Sequence, residues 1–345
     1  MPSASAVRSS IVLSKFLRVR PYTLYTLPTC RSTLIGACYL YSPNCREEVF
    51  SAVRCVLRTI ALEGAGWEAP VSSVWHHARG CGKVETLTSK DGTPIAYQRS
   101  GEGSPLVLVH GTSADHSRWR PVLPALEEHF TVYAVDRRGR GGSGDSDDYA
   151  IEREFEDVAA VVDSVGEPTN LLGHSYGALC ALEAALLTRN VRKLVLYEPG
   201  MNVTGEQIYP PGFIERLDAL LEAGDQDGVI STMFRELVGM PQEEVEYLRS
   251  LPAWQERVKA AHTVPRELGA DEHYHFVSER FKGLSTPTLV LEGSDSPAFL
   301  KAADKAVDET LPNCRIVVMP GQGHAAMDTG TDLFTTEVVR FLKGP

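Results

Sequence analysis

The sequence predicts an α/β protein: a mostly parallel β-sheet with helices on both faces. Two observations carry this expectation. From residue 105 onward, short apolar runs alternate with longer helix-forming runs. These apolar runs are continuous rather than alternating, the pattern of strands buried on both faces. A third observation sets the organisation. Residues 201–284 break the rhythm, contain no clear strand, and read as a helical cap inserted between the sixth and seventh strands.

Taken in order, Val84 to Arg99 reads as a hairpin turning at Asp91-Gly92. Strands follow near 105–109, 130–136, 168–172, 193–197, 287–292 and 314–319. Helices fall between them near 116–128, 151–165, 176–188 and 298–311, and Asp332 to Lys343 forms a closing amphipathic helix. Within the insertion, helices are expected over Gly212 to Glu222, Asp227 to Val238, Gln242 to Leu251 and Trp254 to His262. Aromatic and apolar side chains there (Tyr209, Phe213, Met233, Phe234, Trp254) fit packing better than substrate contact. In an open parallel sheet, ligands bind at the carboxyl ends of the strands.

Those ends carry the chemistry. Gly173-His174-Ser175-Tyr176-Gly177 lies between a strand-type run and a helix-forming run. A G-x-S-x-G turn in that setting is a nucleophile elbow, lifting the serine hydroxyl above the sheet. The turn crowds strand against helix, so its flanks must be small, here Gly173 and Gly177. Upstream, the run Pro105 to Val109 ends at His110-Gly111-Thr112. The backbone amides of Thr112 and Tyr176 would converge there to stabilise a developing oxyanion. His324 sits on a glycine-rich loop after the last strand, in reach of Ser175 as general base. For the orienting acid, Asp295 follows the strand at 287–292, and Glu198, after the strand at 193–197, is the alternative. Asp295 would also serve as the N-cap of the helix near Pro297. His110 and Trp119 are candidate pocket residues, with a core role equally open for Trp119.

Ser175, Asp295 and His324 stand in the chain order of the α/β-hydrolase fold. With His110-Gly111, the run Asp136-Arg137-Arg138-Gly139-Arg140-Gly141-Gly142-Ser143 and Gly323-His324, the chain from about Lys83 onward resembles that superfamily. It looks most like the capped serine hydrolases that include haloperoxidase-like esterases and enol-lactonase-like enzymes. The resemblance implies an eight-stranded sheet, a helical cap and cofactor-independent cleavage of an ester or lactone through an acyl-enzyme. There are two departures. The Gly293-Ser294-Asp295 loop is one residue shorter than the usual acid loop, and Tyr176 replaces a common Met at the pocket floor. The arginines after Asp136 are expected to fix loops rather than bind substrate.

Composition narrows the function classes. The net charge of −11 argues against a nucleic-acid surface, and no apolar stretch reaches membrane-spanning length. Residues 1–82 carry about +5 and the remainder about −16. The first 46 residues contain no acid and are rich in Ser, Thr, Arg and Cys. Residues 1–82 therefore read either as a mitochondrial or plastid transit peptide or as an extension without a fold. The catalytic core is assigned to 83–200 and 285–345. Seven cysteines in no C-x-x-C pair fit a reducing, cytoplasmic setting without zinc. No metal, nucleotide or flavin motif is present, and the only expected partner is a small-molecule ester or lactone. A ligand receptor on the same fold, or a C–C hydrolase, thioester hydrolase or perhydrolase, are the competing readings.

Overall fold

A computed structural model describes residues 83–203, 205, 209–250 and 253–344. The expectations for residues 1–82 lie outside the described residues. The expected hairpin is β1 (Lys83–Thr88) and β2 (Pro94–Ser100), in register from Lys83 opposite Arg99 to Thr88 opposite Pro94. Gly92, at φ +92°, turns the chain between them.

The remaining strands are β3 (Ser104–Val109), β4 (Phe130–Val135), β5 (Thr169–His174), β6 (Val191–Tyr197), β7 (Thr288–Gly293) and β8 (Cys314–Met319). They form one eight-stranded sheet in the order β1-β2-β4-β3-β5-β6-β7-β8. The first two are antiparallel to their neighbours, and every pairing from β4 to β8 is parallel. The chain order reverses around β3, and β5 beside it supports the elbow, so the site stands where crossover helices diverge.

One face of the sheet is covered by α2 (Ile151–Ser164) and α3 (Tyr176–Leu187), with Ala303 and Val307 of a later helix in the same apolar cluster. In α2, Ile151, Phe155, Val158, Ala159 and Val162 repeat at helical spacing and are all buried. By contrast, α3 is apolar all round and buried almost throughout, as a helix running under the sheet's centre must be. The other face carries α1 (Leu123–Glu127) and the closing α11 (Thr331–Lys343), through Leu126, Phe334, Val338 and Leu342.

The expected helix over 116–128 is broken. A 3-10 turn covers His116–Trp119, and α1 starts only at Leu123. Pro121 has no amide to continue the helical ladder, and Pro124 is tolerated only because it stands in the first turn of α1.

Between β6 and β7 lie α4 (Phe213–Glu222), α5 (Gln226–Thr232) running into a π turn (Met233–Leu237), α6 (Gln242–Arg249), α7 (Ala253–Lys259) and α8 (Val264–Glu272). The sequence reading missed α8, because Pro265 reads as a break when it is a permitted first-turn proline. The segment has its own apolar cluster, including Phe213, Leu217, Ile230, Met233, Trp254 and Leu268. The last core helices are α9 (Ala298–Thr310) and the short α10 (Ala326–Thr329). Among the described residues no helix is long and apolar enough to cross a membrane.

Candidate active site

Three non-glycine residues have positive φ among the described residues: Ser113, Ser175 and Glu198. All three follow the carboxyl ends of central strands. Such conformations cost about 1–3 kcal/mol each and persist where surrounding structure enforces them.

The local packing shows how Ser175 is held at φ +57° between β5 and α3. A Cβ on Gly177 would lie 2.4 Å from the carbonyl oxygens of Val109 and His110, and one on Gly173 would lie 2.3 Å from the Gly177 carbonyl. These are backbone atoms that cannot move aside. Gly177→Ala is therefore expected to destabilise the protein by about 3 kcal/mol, read as a lowered urea midpoint. On the far side, a Cβ on Gly111 would meet Ser175 Cβ at 2.9 Å, so the loop after β3 passes against the serine. The Gly200 position is less tight: its Cβ would stand 3.3 Å from Ser175 Oγ and 3.1 Å from the Tyr176 amide nitrogen. Neither the Thr112 nor the Tyr176 amide has an acceptor among the described residues.

His324 is fixed from three directions. Its Nδ1 lies 2.5 Å from Glu198 Oε2. His174 pairs through Nε2 with the His324 carbonyl at 3.0 Å, and its ring lies 4.6 Å from the His324 ring. Tyr197 stacks on His174 at 4.9 Å, donates its hydroxyl to the Gly323 carbonyl and accepts from the Ala326 amide at 2.9 Å. Burial, with His324 and Arg118 nearby, holds the His174 pKa well below the ordinary value, so its ring is neutral. Glu198 is wholly buried, and its second oxygen accepts from the Gly293 amide at 2.6 Å. With Nδ1 donating to that carboxylate, His324 Nε2 is left as the proton acceptor.

This corrects the expected acid. Asp295 is exposed, and its carboxylate accepts from Ser294 Oγ at 2.8 Å, while Glu198 occupies Nδ1 of His324. Nor does Asp295 cap α9, whose first turn follows Pro297 without a side-chain cap. The shortened loop turns the aspartate outward: its amide donates to the Gln322 carbonyl at 2.9 Å, and the Ser296 amide donates to Gly293 at 3.1 Å.

The two candidate pocket residues are also reassigned, because both are wholly buried. Trp119 packs in the apolar cluster under α11. His110 accepts from the Arg137 amide through Nε2 at 3.1 Å and pairs through Nδ1 with the Gly111 carbonyl at 2.9 Å, bracing the loop. Tyr176 likewise forms no open floor: its ring is buried under the Arg137 guanidinium at 4.5 Å.

The arginines of the run after β4 do fix loops. Arg138 pairs with Asp157 and Asp91. Arg137 pairs with Glu154 at 2.8 Å and with Glu267 of α8 at 3.1 Å, and Arg140 pairs with the other Glu267 oxygen. Burial raises the Glu154 pKa, but Arg137 and Arg140 outweigh it and hold the carboxyl below its usual value. Glu267 also accepts from Thr112 Oγ1 at 2.8 Å. Sequence reading missed Glu267, which sits 155 residues from Thr112 with no local signature. Glu267→Ala would leave two buried cations short of a partner. It is expected to cost about 3–5 kcal/mol in unfolding free energy, measured by urea titration.

Asp115, His116 and Asp136 form the one metal-like cluster among the described residues, with ligand atoms within 4.8 Å of one another. Their lone pairs are committed to the loop: Asp136 accepts from the His116 and Gly142 amides, and Asp115 from the Ser117 amide.

Residues 106–336 match the profile of the alpha/beta hydrolase family. A pimeloyl-[acyl-carrier protein] methyl ester esterase of Aeromonas hydrophila is 26% identical over 256 residues, covering 72% of this chain and 99% of the relative. Among solved structures, an alpha/beta hydrolase from Sphaerobacter thermophilus is 36% identical with a TM-score of 0.67, covering 75% of this chain and 100% of that one. An esterase from Rhodococcus sp. ECU1013 is 26% identical with a TM-score of 0.60, covering 76% and 98%.

Proposed function

Because the chain belongs to the alpha/beta hydrolase family, we propose that it is a serine hydrolase cleaving small to medium carboxylic esters or lactones through an acyl-enzyme. The observation that carries this reading is the Glu198–His324 pair, clamped beside the strained Ser175 turn. In the proposed mechanism, Ser175 Oγ attacks the substrate carbonyl as His324 Nε2 takes its proton. Glu198 keeps the imidazole in the acceptor tautomer and stabilises the imidazolium. The Thr112 and Tyr176 amides receive the oxyanion. His324 then returns the proton to the departing alkoxide. Water, deprotonated by the same imidazole, attacks the acyl-enzyme and releases the acid and Ser175.

The helical segment between β6 and β7 serves as a cap over this chemistry, excluding water and shaping the acyl or alcohol pocket. The kinship with esterases supports an ester as the bond cleaved. The test is fluorophosphonate labelling of the full chain, with the adduct located by mass spectrometry. One adduct per chain on Ser175 is expected. A folded chain that takes up no label would remove the serine mechanism and leave the receptor reading.

A further inference from the structure

The buried arginines near the site each have carboxylate partners: Arg137 with Glu154 and Glu267, Arg138 with Asp91 and Asp157, Arg140 with Glu267. Arg257, partly exposed rather than fully buried, has no such partner among the described residues. It stands on α7 of the insertion and reaches across to the loop after β3. There Nη1 donates to the Ser113 carbonyl at 3.3 Å and to Ser113 Oγ at 3.2 Å. Ser113 is the positive-φ residue directly after Thr112. The guanidinium lies 5.2 Å from the centre of the Phe234 ring, on the π turn. Among the described residues Arg257 has no ion-pair partner, and its Nε and Nη2 donate to no protein group.

Its surroundings supply no dedicated counter-charge. Burial and the nearby Arg118 push the Arg257 pKa down to about 10. Asp328 and Asp115 pull the other way. Asp328, however, is engaged by Arg118 at 2.7 Å, and Asp115 accepts from the Ser117 amide at 2.8 Å. His174, facing both arginines, is neutral and supplies no counter-charge. A planar guanidinium with unspent donors is matched in shape and charge by a carboxylate, which it grips through two parallel hydrogen bonds.

We propose that Arg257 is a specificity residue that receives an ionised carboxylate carried by the substrate, in addition to the ester group that is cleaved. The favoured substrates are then half-esters or carboxylated lactones rather than neutral esters. The inference rests on the serine-hydrolase reading of the site, so its test is a binding measurement that needs no turnover.

The full chain carrying Ser175→Ala is titrated calorimetrically with three esters. Monomethyl adipate places the carboxylate on the acyl side, O-butyrylglycolate places it on the alcohol side, and methyl hexanoate is neutral. One of the two charged esters is expected to bind at least about tenfold more tightly than the neutral one. Adding Arg257→Gln is expected to bring that ratio close to one, and Arg257→Lys to keep part of it. Should the Gln variant fail to fold, the Lys variant and the loss of the preference as added salt screens it provide the same reading. Equal affinity for all three esters, or a preference that survives in a folded Arg257→Gln chain, overturns the proposal. If the preference is present but the unmodified chain hydrolyses none of the three, carboxylate recognition stands and the hydrolase reading falls.

Discussion

Replacing Ser175 by alanine is expected to lower kcat on a simple ester such as p-nitrophenyl butyrate by about 10⁵-fold or more. The expected effect is this large because, in the proposed mechanism, attack, proton transfer and acyl-enzyme formation all pass through one oxygen. Fluorophosphonate labelling should disappear in the same variant. The fold should survive, because the substitution removes one partly exposed hydroxyl at the pocket side of the elbow. Unchanged thermal unfolding beside absent turnover would tie the loss to chemistry. Turnover persisting within tenfold of the unmodified chain would show that another group is the nucleophile.

The second large effect belongs to Glu198. Glu198→Gln keeps the shape of the side chain but removes the charge that faces His324 Nδ1. An amide can present its NH₂ to that nitrogen and stabilise the wrong tautomer, so kcat is expected to fall by about 10³–10⁴-fold. Asp295→Asn, at an exposed carboxylate bonded to Ser294, is expected to stay within about twofold. A double variant of Ser175→Ala with Glu198→Gln should be no slower than Ser175→Ala alone, because residues acting as one unit are not additive. If Asp295→Asn were the damaging change, the orienting role would pass to Asp295.

Much of this arrangement is legible in the sequence, for local reasons. Continuous apolar runs identify the parallel strands, and two glycines around Ser175 mark a turn that admits no side chain. The order of the elbow and the histidine loop follows from the chain alone. The choice between Glu198 and Asp295 does not. Both follow adjacent parallel strands, β6 and β7, and either is a sensible partner on spacing. What separates them is three-dimensional. Glu198 takes a left-handed backbone conformation that turns its side chain under the Gly293 amide and toward His324. Asp295 is turned away by bonds between the β7 and β8 loops. Two details of the sequence point toward this outcome: the short Gly293-Ser294-Asp295 loop, and Pro199-Gly200 after Glu198, where a Cβ would press on the Tyr176 amide and Ser175 Oγ. The burial of Trp119 and the pairing of Thr112 with Glu267 had no local signal, since each depends on residues far away in the chain.

The Glu267 contacts also govern how the insertion can move. Its carboxylate joins α8 to two buried arginines and a partly exposed threonine of the sheet domain. Arg257, on α7, meets the same domain through one nitrogen on Ser113. The segment is therefore tethered unequally. Hydrogen exchange is accordingly expected to be slower along α8 than along α5–α7, the side held to the sheet domain by the fewer contacts.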